Sequence, residues 1–401
     1  MAYDVAERKG IGHPDSLADL VADTFSRRYA AICTEMFGAI PNHWVDKVTL
    51  VGAAARVRYG GYTIHKPVDC YLFGKVTDRV GSEGIDLAEM FRQVIHRTLP
   101  AALGGRGILP HVRTHVNNTS GTATDHDSEF YAPSSAAALR HILARESVAN
   151  DTVICTGTSA HGLAGRTAIW LETLINATDF RERFPMVGSD VKVMVTRVGG
   201  DIDVTAAIPA HPQAVLSWED YRDQLAHVDV ALTGELKGRV EREGSVDAIR
   251  LHINTKDGSR GAYLAPFGTS LGKGDCGAVG RGNRGGGVIE PLRAAGCEAP
   301  AGKNPVHHAG KIYTALARQA AQLIHQELGH FTEVAVAARN GDPLGDPAFV
   351  FITLPDAARR TEQAKAEQIA AKTLAAAPDF CSRFLETDPV TAFHRQVTDE
   401  R

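Results

Sequence analysis

The sequence predicts an α+β fold with mixed or antiparallel sheets. Three observations predict it. Strand-like pairs joined by short turns and followed by a helix-period segment occur about three times. The chain has 401 residues, too many for one ordinary domain and enough for two or three. Its hydrophobic content of 44%, with charge of both signs, suits a packed core. The three passages share no sequence repeat, so a threefold arrangement is only suggested by their number.

In chain order, Asp15 is expected to cap a helix carrying Leu17, Leu20, Val21, Phe25 and Ile32 at helical spacing. Strands are expected over 46–51 and 69–76, then a helix over 85–99. The stretch 101–127, rich in Gly, Thr, Asn and His, reads as a long loop or mobile segment. Segments 191–195 and 203–208 read as paired strands with Gly199 and Gly200 in the turn. A second pair is expected at 249–253 and 262–267. A helix over 309–328, strands over 333–338 and 349–354, and a helix over 357–375 complete the pattern.

The formal net charge of −4 gives no reason to expect a nucleic-acid or membrane partner, so any phosphate site must be a local basic pocket. Six scattered cysteines without a CxxC pair read as free thiols in a reducing compartment. With no signal-peptide pattern and no apolar run near 18 residues, a soluble cytoplasmic protein is expected.

Two runs carry candidate chemistry. Residues 274–287 read GDCGAVGRGNRGGG, and residues 301–311 read AGKNPVHHAGK. Glycine lets a ligand approach the backbone, while Arg281, Arg284, Lys303 and Lys311 supply fixed positive charge. That combination suits a polyphosphate. Upstream, Gly10-Ile11-Gly12-His13-Pro14-Asp15 presents His13 and Asp15 at a helix N-terminus, which favours anions. A carboxylate there can hold Mg²⁺, and an imidazolium can meet a phosphate oxygen. Three decoys fail. Residues 296–303 have P-loop character, but the glycine spacing is too long and Asn304 stands where Ser or Thr should be. Gly285-Gly286-Gly287 lacks a preceding βα unit, and His111 with His115 lacks the glutamate and helix of a zinc motif.

Taken together, these motifs resemble the archaeal-type S-adenosylmethionine synthetases. The resemblance rests on Glu7-Arg8-Lys9-Gly10-Ile11-Gly12-His13-Pro14-Asp15-Ser16, on Val187-Gly188-Ser189-Asp190-Val191-Lys192-Val193-Met194, on His252-Ile253-Asn254-Thr255 and on both glycine-rich runs. It implies three related α+β domains with pseudo-threefold symmetry and helices on one face of each sheet, divided near 1–135, 136–265 and 266–401. It also implies a homodimer with active sites at the interface, ATP and an amino-acid acceptor as substrates, Mg²⁺ and an auxiliary K⁺. In the family reaction the methionine sulfur attacks C5′ of ATP, and the released tripolyphosphate is cleaved to pyrophosphate and phosphate. By the same resemblance Asp15 is a metal ligand, and His13 touches the α-phosphate region. Lys192, Arg281, Lys303 and Lys311 clamp phosphate oxygens, and Arg284, Asn304 and His308 lie at that site. Asp151 and Asp275 lie near the acceptor or the nucleoside.

The chain departs from the family pattern where the acceptor is expected. The family's Asn-Asp-Thr-Ser-Phe-Gly-Val-Gly-Tyr-Ala-Pro-Leu is replaced at 150–161, losing the tyrosine and gaining His161. The Gly-Gln-Gly-Ser segment is replaced at 114–120. The Asn-His pair becomes His307-His308, and the acidic residue and Gly-His of the strand near Val48 are absent. A thioether needs no deprotonation, whereas the hydroxyl of threonine or serine would profit from a base, for which His161 and His307 are candidates. A non-methionine acceptor, a nucleotide-binding pseudoenzyme and a tripolyphosphatase are therefore the alternatives to methionine adenosylation.

Overall fold

Strand Tyr3–Lys9 buries alternate side chains and runs into the glycine turn that launches helix Pro14–Phe37. The computed structural model describes residues 3–120, 129–145, 148–243, 246–258, 261–283 and 285–395. Among them, three larger sheets are each backed by helices. In the first, strands Tyr3–Lys9, Lys192–Val198 and Asp201–Ala207 pair antiparallel, and Ala248–Ile253 adds in parallel. Helix Leu163–Asn176 covers its inner face with Leu171 and Ile175, and helix Trp218–Glu243 contributes Tyr221, Val228 and Leu232 to the same core.

The second sheet orders Gly277–Ala278, His43–Val51, Val68–Val76 and Val112–Asn118. Helices Pro14–Phe37 and Leu87–Leu103 bury Phe25, Tyr29, Phe91 and Ile95 against it. The third orders Phe349–Thr353, Glu333–Ala338 and Val153–Thr158. Helix Ala309–Leu328 covers it, with helix Arg360–Ala375 outside. The cores interleave in sequence: Ala6 belongs to the core of the first sheet, and Phe267 and Leu271 to that of the second. The opposite sheet faces expose Met194, Val198, Ile154, Phe349 and Phe351. No helix of the described residues is long and apolar enough to cross a membrane.

Three expectations are corrected. The first helix is capped by His13, whose Nδ1 accepts from the Asp15 N–H at 3.1 Å. Pro14 takes the first helical position, where its missing N–H costs nothing, so the cap falls one residue before it. Second, the expected loop 101–127 holds the last turn of a helix, a 3₁₀ turn at Arg106–His111 and strand Val112–Asn118, while 121–128 lie outside the described residues. That strand alternates exposed Arg113, His115 and Asn117 with more buried Val112 and Val116, pairing in parallel with Val68–Val76. Its polar outer residues hid the period. Third, 262–267 does not pair with 248–253. Leu264 bridges Ala210, and the chain then turns at Pro266–Gly268 with Phe267 at φ 61°.

Candidate active site

The glycines of the N-terminal motif are needed because backbones meet there. A Cβ on Gly12 would overlap Ser189, and one on Gly277 would overlap the Pro14 carbonyl. The start of helix Pro14–Phe37 is thereby pressed between residues 189–191 and the first glycine-rich run. Gly10 N donates to Val191 O and Gly12 N to Ser189 O at 3.1 Å. Asn283 locks the far side of the run, accepting from Lys9 N at 2.9 Å and donating to Lys9 O at 2.8 Å.

Charge collects at this helix N-terminus. Lys9 Nζ donates to Asp15 Oδ2 at 3.0 Å and to the Arg281 carbonyl. Asp15 Oδ1 accepts from Ala278 N at 3.1 Å. Burial holds the His13 imidazole below its ordinary pKa, against the opposing pull of Asp190 and Asp15. With Nδ1 serving as the cap acceptor, the neutral ring carries its proton on Nε2. Asp190, buried, accepts from the Ser270 N–H and hydroxyl, and burial raises its carboxyl pKa. Lys192 reaches Glu7 at 3.2 Å with its side chain 44% exposed. The Arg281 side chain is exposed, as is Asp275. A cleft of about 770 Å³ adjoins this centre through Tyr263, whose phenol pKa is raised by burial and by the Asp190 carboxylate, and Lys273, whose ammonium lies 4.5 Å from the Tyr263 ring.

A second group lies further along the same helix face. Asp19 accepts from Gly280 N at 2.7 Å, and Asp23 accepts from Gly302 N at 2.8 Å. Asp15, Asp19 and Asp23 thus form an i, i+4, i+8 ladder that zips both glycine-rich runs to the helix, a spacing readable in the sequence but not singled out there. Burial pushes the Asp19 carboxyl up to about 7. Lys311, buried, pairs with Asp23 Oδ1 at 2.7 Å and donates to Pro300 O. Lys303 donates to the Val45 and Asp46 carbonyls and to Asp46 Oδ1 at 3.2 Å, and burial lowers its pKa. Asn304 is buried and accepts from Val306 N. His308 caps helix Ala309–Leu328, its Nδ1 accepting from Lys311 N at 3.3 Å. His307 is 2% exposed, neither ring nitrogen has a hydrogen-bond partner, and burial lowers its pKa to about 4.

Asp151 and His161 stand apart from both groups. Asp151 is exposed and accepts from its neighbour Thr152 N. Arg284 lies outside the described residues. His161 is buried against Glu290, its Nδ1 2.7 Å from Oε2, while its Nε2 faces Arg318 Nη2 at 3.3 Å. A guanidinium only donates, so Nε2 is the acceptor and Nδ1 carries the proton. Arg318 also donates to the Gly285 carbonyl at 2.8 Å. Lys9, Asp19, Asp190, Asn283, Glu290 and Arg318 were not anticipated. Each acts through a partner distant in sequence.

The S-adenosylmethionine synthetase (AdoMet synthetase) family model matches residues 1–388. The chain belongs to this family. It is 34% identical over 359 residues to the S-adenosylmethionine synthase of Aeropyrum pernix, covering 87% of this chain and 84% of that one. It is 30% identical over 398 residues to the probable S-adenosylmethionine synthase of Aquifex aeolicus, covering 97% and 95%. With the S-adenosylmethionine synthase of Pyrococcus furiosus it shares 34% identity over 356 residues, covering 86% and 83%. The chain is therefore an enzyme, a transferase of the S-adenosylmethionine synthase type that uses ATP.

Proposed function

We propose that this adenosyltransferase joins L-methionine to the adenosyl group of ATP. The carrying observation is the gathering of His13, Asp15, Lys9, Lys192 and the Arg281 carbonyl at one helix N-terminus. The sulfur lone pair forms the S–C5′ bond as the C5′–O bond breaks, and its electron pair leaves with the triphosphate. Water then splits the tripolyphosphate into pyrophosphate and phosphate. Negative charge grows on the leaving oxygen, so donors fixed beforehand favour the transition state over the ground state. Neutral His13 offers an Nε2–H to a phosphate oxygen, supported by the positive end of a 24-residue helix. Lys192 supplies mobile charge from an exposed pair, and Arg281 an exposed side chain.

The donor set fits Mg²⁺. Asp15 Oδ2 and the Arg281 carbonyl, two hard oxygens, already converge on the Lys9 ammonium. Among the described residues no group of three His, Cys, Asp or Glu side chains forms an all-protein cage, which suits a cation shared between one carboxylate and substrate phosphates. When bound, Mg²⁺ would neutralise the triphosphate as it departs. The cleft beside Tyr263 and Lys273 has the volume and the aromatic wall for a nucleoside.

Two imidazoles bear on the acceptor. His161 is engaged at both ring nitrogens, by Glu290 and Arg318. His307, lowered to about 4, is a weak base. Neither suits deprotonation of a hydroxyl, which supports a thioether acceptor. The exposed apolar residues Met194, Val198, Ile154, Phe349 and Phe351 support a homodimer formed through the outer sheet faces. Use of ATP suits a cytoplasmic setting. The test is incubation of the protein with ATP, Mg²⁺ and each amino acid in turn, read by mass spectrometry. Methionine alone should yield the adenosyl sulfonium together with pyrophosphate and phosphate. Faster adenosylation of threonine or serine overturns the proposal.

A further inference from the structure

A cavity of about 290 Å³ lies between helix Pro14–Phe37 and the C-terminal helices Phe380–Leu385 and Pro389–Arg395. Gly280, Asn283 and Gly285 of the first glycine-rich run form one wall. Phe380, Phe384 and Phe393 form another, and three cations, Arg8, Arg27 and Lys311, line it. Two of those cations are neutralised. Arg8 Nε pairs with Glu172 at 3.1 Å and Lys311 with Asp23 at 2.7 Å. Arg27 is different. Its Nε and Nη1 are buried without a hydrogen-bond partner. Its guanidinium lies 3.5 Å from the centre of the Phe384 ring, and Asp23 and Asp388 act on it only at longer range. A buried guanidinium that keeps donors unsatisfied carries a desolvation cost that an anion would relieve.

We propose that this cavity binds a small monoanion with an apolar body, a carboxylate on an aromatic or branched group. The charge count sets the valence. Arg27 alone of the three has no hydrogen-bonded carboxylate, and the Asp19, Asp23 and Glu298 carboxyl groups on the lining oppose a doubly charged phosphate. Phenylalanine walls set the body, and the volume lies at the lower end of the range for small-molecule sites. Arg27 lines the cavity, and the carboxylate would pair with its guanidinium charge from that side.

The test is calorimetric titration of the full chain with benzoate and with benzamide, its uncharged counterpart. Benzoate should bind once per chain, at least about tenfold tighter than benzamide, and saturating ATP with Mg²⁺ should not displace it. Arg27→Gln should lower benzoate affinity to the level of benzamide, and Arg27→Lys should restore part of it. Equal affinities for the two probes overturn the proposal, and so does absence of binding at millimolar concentrations. Displacement by ATP, or unchanged benzoate affinity in a stably folded Arg27→Gln, does the same. Should that variant fail to fold, the benzoate–benzamide ratio and the ATP competition in the unaltered protein still decide.

Discussion

Replacing Glu172 by glutamine should unfold this protein far more readily than any surface change, and should loosen the nucleotide site as it does so. Arg8 and Glu172 are both fully buried, with Nε 3.1 Å from Oε2. Glu172 Oε1 also accepts from Ile11 N at 3.2 Å and from Asn176 at 2.8 Å. Glutamine keeps the shape but not the charge. Whichever way its amide turns, an N–H faces either Arg8 or the Ile11 and Asn176 donors. Removing one partner of a buried ion pair costs about 3–5 kcal/mol. That is a large part of the roughly 5–15 kcal/mol that stabilises a typical native protein. The double variant Arg8→Met with Glu172→Leu removes both charges but leaves the Ile11 and Asn176 donors without their acceptor, so it should cost less than the sum of its singles without regaining the parent's stability. Urea unfolding of the parent, Arg8→Met, Glu172→Leu and the double variant, followed by circular dichroism and by fluorescence, gives the four corners of the cycle, with Glu172→Gln measured beside them. Because Ile11 N is held by Glu172, the turn presenting His13 also relaxes, and the KM for ATP of the glutamine variant should rise. A cost below about 1 kcal/mol for Glu172→Gln, or a double variant as unstable as the sum of its singles, refutes the reasoning.

Three further outcomes follow. Asp15→Asn should raise the Mg²⁺ concentration for half-maximal activity about tenfold or more, because an amide oxygen is a weaker ligand for a hard cation; an unchanged Mg²⁺ titration counts against Asp15 as a ligand. His13→Asn should keep the thermal midpoint, since asparagine is a good N-cap, while kcat falls at least tenfold for lack of the outward N–H; full activity in that variant removes His13 from the phosphate site. Stability should decline in mild acid. His307 is lowered from 6.5 to about 4 by burial, so the unfolded chain binds the extra proton between these values. Its contribution is present above pH 6.5 and is lost as pH falls toward 4, by about 2 kcal/mol at pH 5. His307→Asn should flatten the pH dependence of unfolding by that amount, and identical slopes in both proteins contradict it.

The sequence announced the parts that local rules govern. Helix Ala309–Leu328 follows from its apolar period, and the Gly199 turn from its flanking strands. The glycine-rich runs were legible because glycine and cation clusters have few other uses. What stayed hidden depends on distant partners. Helix Trp218–Glu243 carries Val228, Leu232, Leu236 and Val240 at a regular interval, yet its acidic exterior masked them. Strand Val112–Asn118 lacked a hydrophobic signature because its outer face is polar. Nothing local announces that His161 meets Glu290 across 129 positions, or that Asn283 clasps the backbone of Lys9.

Charge type was readable in the sequence, but the availability of each charge was not. Each lysine of the site has a partner before any substrate arrives: Lys9 has Asp15, Lys192 has Glu7, Lys303 has Asp46 and Lys311 has Asp23. Affinity for a polyphosphate is therefore the difference between the new contacts and these old ones. The Lys192–Glu7 pair is exposed, and breaking it costs at most about 1 kcal/mol. The Lys311 side chain is only 4% exposed, and its ammonium is also held by a backbone carbonyl and lies over the Phe384 ring. Withdrawing it would leave Asp23 unpaired beside Gly302, at a cost of several kcal/mol. On these energetics Lys192 can swing to a triphosphate, whereas Lys311 holds the second glycine-rich run against the helix that bears the site. The two lysines, alike in the sequence, should accordingly differ under mutation: Lys192→Ala in turnover, Lys311→Ala in folding.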